Sequence, residues 1–173
     1  IDANRIGVHG FSAGAQIAAV LANSAGDSYL EGTVGNDLAE SSAVQCVSAF
    51  AGPFDLIALG DEDPVQKPDV SQLLGFNPWD GSPLTQTQQF LLSTTTGATY
   101  VDAGDPPQFL SQGTNDQFVA FHQLTDYYHI IAAAGVDTEM HVDWEEVHFQ
   151  SQDALFHRDH QQHPGDKDPG DPT

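Results

Sequence analysis

Gly10-Phe11-Ser12-Ala13-Gly14 is the first place in the chain where residue types and spacing could do chemistry. Glycines two positions before and two after a serine let strand and helix approach closely at a strained turn. The hydroxyl presented there can attack an acyl carbon. The run "RIGVHGF", residues 5 to 11, is short and β-rich, and the following "AGAQIAAVLANS" carries Ile17, Val20 and Leu21 at helical spacing. The local prediction is therefore strand, sharp turn, helix. The helix would point its positive end at Ser12, and the backbone N–H of Ala13 would serve as one oxyanion donor. A glycine-rich turn with an exposed serine is the plain alternative.

A serine nucleophile needs a base and an acid, and on a strand–helix scaffold both should follow it in the chain, acid first. Asp116 lies in "SQGTNDQFVAF" and His148 in "DWEEVHFQ", each just beyond a β-rich run. In a triad Ser12 attacks, His148 takes and returns the proton, and Asp116 fixes the imidazole tautomer and its charge. Asp116 is equally suited to cap a helix. Among the other histidines, His141 falls inside a strand pattern, and His9, His122 and His129 lie on elements that explain them structurally. His157, His160 and His163 recur every three residues and could ligate a metal. They lack a cysteine partner or a second ligand cluster, so neither a metal nor a cofactor is expected.

The elements that must position these residues alternate between strand and helix. After the first strand and helix comes "AVQCVSAFAG", residues 43 to 52, almost wholly apolar as a strand buried on both faces should be. Residues 53 to 104 are rich in Pro, Gly, Asp and Thr and read as an excursion, with short helices at "DVSQLLG" and "TQTQQFLLS". The sheet resumes with "PQFLSQG", residues 107 to 113. A helix is expected from about Gln117 to Ala134, with Phe121, Leu124, Tyr128 and Ile131 as its stripe and Gly135 as its stop. "TEMHVDW" supplies a fourth strand. Residues 1 to 156 thus form one α/β unit, a parallel sheet of about four strands with flanking helices. The tail, 157 to 173, holds little to bury and is expected to be disordered.

Composition narrows the partners. The chain has 173 residues with 25 acidic against 4 basic side chains, a formal net charge of −21. Nucleic acids are excluded as partners, because their phosphates are bound mainly through basic side chains. No apolar run approaches the roughly 18 to 20 residues that cross a bilayer. Scattered acids on this scale resemble the surface of a protein adapted to salt, an ordinary acidic surface being the plain alternative. Cys46 stands alone within "VQCVSAF" and is expected to be a buried, inert thiol.

The runs "IDANRIGVHGFSAGAQIAAVLANSAGD", "LEGTVG", "SSAVQCVSAFAGPFDL", "DAGDPPQFLSQGTND" and "AAAGVDTEMHV" resemble the C-terminal half of α/β-hydrolase esterases. The acetyl-xylan and feruloyl esterases are the nearest group, with the hormone-sensitive-lipase-like esterases and prolyl-oligopeptidase-type hydrolases close by. The resemblance covers residues 1 to about 156 and implies Ser12 as nucleophile, Asp116 as acid and His148 as base. It also implies hydrolysis of small acyl esters, or of acetyl and feruloyl esters of polysaccharide. A peptidase activity, or a non-catalytic assembly module, are the alternatives. Phe76, Trp79 and Phe90, in the excursion, are candidate substrate-pocket walls, a place in the core being the commoner fate of such aromatics. Glu145, Glu146 and Val147 precede His148 where these families carry glycines. The resemblance begins at the fifth strand of the family fold, so the loop that donates the second oxyanion N–H has no counterpart here. The strand before Ser12 is then an edge, expected to pair with another copy of the chain or a complementing polypeptide, unless the chain is a fragment of a longer protein whose N-terminal part covers it.

Overall fold

The computed structural model describes residue 2 and residues 4–148. Four strands form one parallel sheet in the order β1-β2-β3-β4: β1 Gly7–Phe11, β2 Cys46–Phe50, β3 Gln108–Gly113 and β4 Thr138–Asp143. Their register sets Phe11 against Phe50, Phe50 against Ser111, and Ser111 against His141. The C-terminal strand ends that carry Ser12, Asp116 and His148 therefore lie side by side.

Six α-helices occupy the connections: α1 Ala13–Asn23, α2 Ser28–Glu31, α3 Leu56–Glu62, α4 Lys67–Leu74, α5 Gln86–Thr94 and α6 His122–Ala134. Short 3-10 turns lie at Pro64–Gln66 and Gly97–Thr99. The main core forms where α1 and α6 pack on one face of the sheet. Ala15, Ala18, Ala19 and Ala22 of α1 meet Val47, Ala49 and Leu110 of the strands and Leu124, Tyr127 and Ile131 of α6. Alanines every three or four residues keep α1 thin enough to lie close to the sheet. Strand alternation places His9, Phe50, Phe109 and His141 on the opposite face. Their rings follow one another at centroid distances of 5.0, 5.8 and 6.5 Å.

The excursion is more ordered than its composition suggests. Asp55 caps α3 through the N–H groups of Ile57 and Ala58, Thr85 and Gln88 form a capping box at α5, and Gly75 ends α4 in the left-handed region. Leu56, Leu59, Val70, Leu74 and Val119 make a second apolar cluster under these helices. The segment returns to the core at Gly97, whose carbonyl accepts from Asn23 and which lies so close to Ala19 that a Cβ would be 3.0 Å from its carbonyl carbon.

Three sequence expectations change. The helix expected from Gln117 begins at His122, because the side chain of Asp116 engages the N–H groups of Phe118 and Val119 and folds residues 116 to 121 into a turn. Its buried stripe runs through Leu124, Tyr127 and Ile131, with Tyr128 only partly buried. Cys46 is exposed rather than buried. It opens β2 opposite Gly7, and its Sγ occupies space that a side chain on Gly7 would claim. The tail from 157 lies outside the described residues.

Candidate active site

Ser12 follows the last residue of β1 and precedes the first of α1. Its backbone is at φ 55°, ψ −125°, a conformation that costs a non-glycine residue about 1–3 kcal/mol. Surrounding contacts hold it there: its N–H donates to the Phe50 carbonyl at 2.8 Å, and its carbonyl accepts from Ala15 N at 2.9 Å. Gly10 makes the turn possible, because a Cβ there would stand 2.1 Å from the carbonyl oxygen of Gly14. Gly14 itself has open space around a Cβ, so the steric demand falls on Gly10 alone. The Ser12 hydroxyl does not cap α1. It lies 2.9 Å from Nε2 of His148.

His148 Nδ1 lies 2.6 Å from Asp116 Oδ2. The Asp116 carboxylate is wholly buried and the imidazole is 4% exposed. Desolvation of a carboxylate is costly unless its oxygens are satisfied. Here Oδ1 accepts the N–H groups of Phe118 and Val119, both at 2.9 Å, while Oδ2 faces His148 and the amide of Gln112. Asp116 is thus both the anchor of a turn and the partner of the histidine; it caps no helix, because α6 begins only at His122. With Nδ1 donating to Asp116, Nε2 of the neutral ring is the acceptor that a serine hydroxyl needs. Phe11 and Phe118 flank the imidazole at centroid distances of 4.9 and 5.2 Å.

The loop that delivers His148 is joined to the turn that delivers Asp116. Thr114 N donates to the Asp143 carbonyl, Asn115 N to that of Glu146, and Asn115 Nδ2 to that of Glu145. Glu145 N in turn donates to Thr114 Oγ1 at 2.9 Å. Glu145 has φ 66°, the left-handed conformation for which glycine is suited. Gly113 permits the approach, since a Cβ there would be 2.2 Å from the Glu146 carbonyl oxygen.

A cavity of about 430 Å³ opens beside Ser12 and His148. Leu56 and Leu59 of α3, Val70 and Leu73 of α4, and Phe118 and Val119 line it, with Gln66 and Asp69 as polar members. Ala13 also reaches it, and as the first residue of α1 its N–H has no partner within the helix.

The BD-FAE family of α/β-hydrolase-type esterases matches residues 1–130, a span that includes Ser12 and Asp116. The chain belongs to the BD-FAE family. An acetyl ester-xyloside bifunctional hydrolase from Caldicellulosiruptor lactoaceticus superposes with a TM-score of 0.69 at 25% identity, over 91% of this chain and 53% of that one. A bifunctional GH43-CE protein from Bacteroides eggerthii gives 0.70 at 25% identity, over 85% and 21%. The butyrate-bound Est2 esterase of the Planctomycetes species Thermogutta terrifontis gives 0.60 at 21% identity, over 84% and 47%, a likeness of fold. The chain spans about half the length of the Caldicellulosiruptor enzyme. None of the curated protein sequences compared with the chain matches it.

In this BD-FAE chain the structure places Ser12, His148 and Asp116 within hydrogen-bonding reach of one another, with Ala13 beside Ser12 at the cavity. Phe76, Trp79 and Phe90 do not line the cavity. Phe76 and Trp79 pack against the second apolar cluster instead. The Trp79 ring lies against Gly60, its Nε1 donates to Asp61 at 2.8 Å, and Lys67 sits over it at 5.1 Å. Phe90 is 47% exposed and meets the edge of Tyr29. Within the same excursion the cavity walls are smaller residues, Leu56, Leu59, Val70 and Leu73. The three-residue spacing of Leu56 and Leu59 behind Asp55 was the available signal for α3.

His141, in β4, pairs through Nε2 with the buried carboxylate of Asp143 at 2.9 Å, and His122 pairs with Glu62 at 2.8 Å. Among the described residues, no group of three or more His, Cys, Asp or Glu is placed to hold a metal, and no helix is long and apolar enough to cross a membrane. His157, His160 and His163 lie outside the described residues.

Proposed function

We propose that this chain is a serine carboxylic-ester hydrolase working through an acyl-enzyme. The observation that carries the reading is the continuous chain of contacts from Ser12 Oγ through His148 to Asp116 Oδ2, with both hydrogen-bond distances below 3 Å. Ser12 Oγ attacks the ester carbonyl as Nε2 of His148 takes its proton, and Asp116 balances the imidazolium. The tetrahedral oxyanion turns toward the Ala13 N–H at the positive end of α1. His148 then protonates the departing alcohol. Water, activated by the same nitrogen, releases the acid from Ser12.

The apolar cavity beside Ser12 supports esters whose acyl or alcohol part fills part of about 430 Å³. Such parts include short acyl groups and the acetyl or feruloyl decorations of polysaccharide. The acetyl ester-xyloside hydrolase that the chain resembles favours the same class. Among the described residues no lysine or arginine lines the cavity, whereas Asp69 does, so neutral esters fit it better than anionic ones.

The test is release of p-nitrophenol from p-nitrophenyl acetate and p-nitrophenyl butyrate at molar salt, with Ser12→Ala beside the wild type. Loss of turnover in the variant supports the reading. Equal release from both proteins defeats it.

A second arrangement is favoured by the position of β1, which lies at the edge of the described sheet with Ile6 beside it 41% exposed. A parallel edge of this kind pairs readily with another chain. In that arrangement a second copy, a complementing polypeptide or a further segment of the same polypeptide supplies the neighbour of β1. Light scattering on the purified protein distinguishes an assembly from a monomer.

A further inference from the structure

Gln112 is fully buried, and its Oε1 is the one buried side-chain polar atom among the described residues without a hydrogen-bond donor. A buried amide with an orphan oxygen is unfavourable, and a leucine or methionine of similar size would fill the same space without that penalty. What the amide offers that an apolar side chain cannot is its N–H pair. Nε2 donates to the carbonyl of Val119 and lies 3.4 Å from Asp116 Oδ2. Reversing the amide would set its oxygen against a carbonyl and a carboxylate, three acceptors facing one another, so the orientation is fixed by its neighbours. We infer that Gln112 is a positioning residue for the acid of the triad, acting through Asp116 on His148. The inference rests on the triad reading above.

Two contacts divide the work. The bond to Val119 closes the turn from Asp116 to Val119, the same turn that presents two backbone N–H groups to Oδ1. The approach to Oδ2 sets a donor on the oxygen that His148 also uses, which restrains rotation of the carboxylate about its bond to Cβ. Oδ1 anchored by the backbone and Oδ2 shared by an amide and an imidazole define one carboxylate plane. The imidazole tautomer and its direction toward Ser12 follow from that plane. Gln112 does not line the cavity, so its removal should lower kcat and leave KM nearly unchanged.

The experiment compares wild type, Gln112→Leu, Gln112→Met and Gln112→Glu in the full chain, with Ser12→Ala as the baseline. For the two apolar variants the expected result is a kcat per folded molecule lower by about 10- to 100-fold, with KM within about twofold, beside a lower thermal midpoint because the Val119 carbonyl loses its donor. A purely structural role predicts the lowered midpoint alone, with normal kcat per folded molecule. Gln112→Glu keeps the shape but shares a proton with Asp116, so its kcat should fall with rising pH where the wild type holds its rate. A side chain that only fills space introduces no new titration.

The proton between His148 Nδ1 and Asp116 Oδ2 gives a readout independent of turnover. Its far-downfield NMR resonance should shift or broaden in Gln112→Leu. If wild type hydrolyses ester well above Ser12→Ala and both apolar variants keep kcat within about twofold of wild type, the inference is overturned while the triad reading stands. If wild type does not exceed Ser12→Ala, the hydrolase reading has failed. The NMR resonance then decides the positioning role alone, and an unchanged signal overturns it.

Discussion

Oδ2 of Asp116 lies 2.6 Å from His148 Nδ1 while Oδ1 of the same carboxylate holds the N–H groups of Phe118 and Val119. One side chain therefore shapes a loop and orients an imidazole, and substitutions separate the two tasks. Asp116→Asn retains an acceptor for the backbone and can cap the turn. Its amide must present N–H to His148, which turns the imidazole to the tautomer whose Nε2 carries the proton. The expected outcome is a near-normal thermal midpoint with kcat on ester lower by on the order of 10⁴-fold. Single-turnover acylation measured beside circular dichroism checks both halves.

The serine turn also makes an unequal demand on its two glycines. Gly10→Ala drives a Cβ to 2.1 Å from the Gly14 carbonyl oxygen, with backbone on both sides and no flexible side chain to move. It should destabilise the protein by about 3 kcal/mol or more. Gly14→Ala meets nothing within 4 Å and replaces a glycine in the first turn of α1, so it should stabilise by about 0.5–1 kcal/mol. Urea denaturation of the two variants gives the comparison, and equal destabilisation would contradict it.

The contact chain of Ser12, His148 and Asp116 was legible because each member is tied to a strand end. Gly10 forces the turn after β1, and Asp116 and His148 follow β3 and β4, so chain order and strand patterning suffice to place them together. The cavity walls were not legible in the same way. Whether Trp79 faces substrate or core depends on Gly60 offering its ring a bare backbone, and no periodicity records a contact between α3 and a loop 19 residues later. Of the excursion it is Leu56, Leu59, Val70 and Leu73 that line the space, while the aromatics that do so, Phe11 and Phe118, come from the strand and turn beside Ser12 and Asp116. Cys46 was misplaced because an apolar stretch says nothing about which of its residues opens the strand. The start of α6 was misplaced because helix periodicity does not register a side chain, Asp116, that competes for the first N–H groups.

Glu145 occupies a left-handed conformation at a position where the families that the sequence resembles carry glycine. Its backbone is retained there by Thr114 Oγ1 and Asn115 Nδ2. Glu145→Gly relieves the Cβ strain and gives back part of the gain through a more flexible unfolded chain. The net expectation is a stabilisation of about 0.5–1 kcal/mol, read from the urea midpoint. Thr114→Val removes the acceptor that holds Glu145 and should destabilise the wild type more than it destabilises Glu145→Gly. A double-mutant cycle in which the two changes simply add would rule out that coupling.

Tyr127 gives the fold an alkaline limit. Its ring stacks on Phe54 at 4.2 Å, and its hydroxyl donates to Gln108 and accepts from Asn23 in a buried triangle. Burial pushes its phenol up to about 12, with the bonds to Asn23 and Gln108 pulling the other way. The folded state thus holds this proton more tightly than the unfolded chain, which releases it near 10. Stability from this group is complete below pH 10, falls as pH rises toward 12, and has a span of about 2–3 kcal/mol. Urea midpoints between pH 9 and pH 12 should show that decline, and Tyr127→Phe should flatten it. A decline of equal size in the phenylalanine variant would assign it to other groups.

The net charge of −21 predicts a protein whose folding depends on salt. Of the four basic side chains, Lys67 is already paired with Asp61 at 3.6 Å, and Arg158 and Lys167 lie outside the described residues. Attraction within the described surface therefore offsets little of the acidic repulsion. Compaction brings the acids closer together than in the unfolded chain, so screening favours the folded state. The screening length falls from about 30 Å at 0.01 M to about 3 Å at 1 M, and the steepest gain should come where it drops below the spacing of neighbouring carboxylates. Thermal midpoints in sodium chloride should rise across this range. Sucrose acts by exclusion from the surface and not by screening, so it serves as the control for general stabilisation. A midpoint that stays flat in salt would mean that acidic repulsion contributes little to the balance. A rise matched in sucrose would assign the gain to exclusion instead.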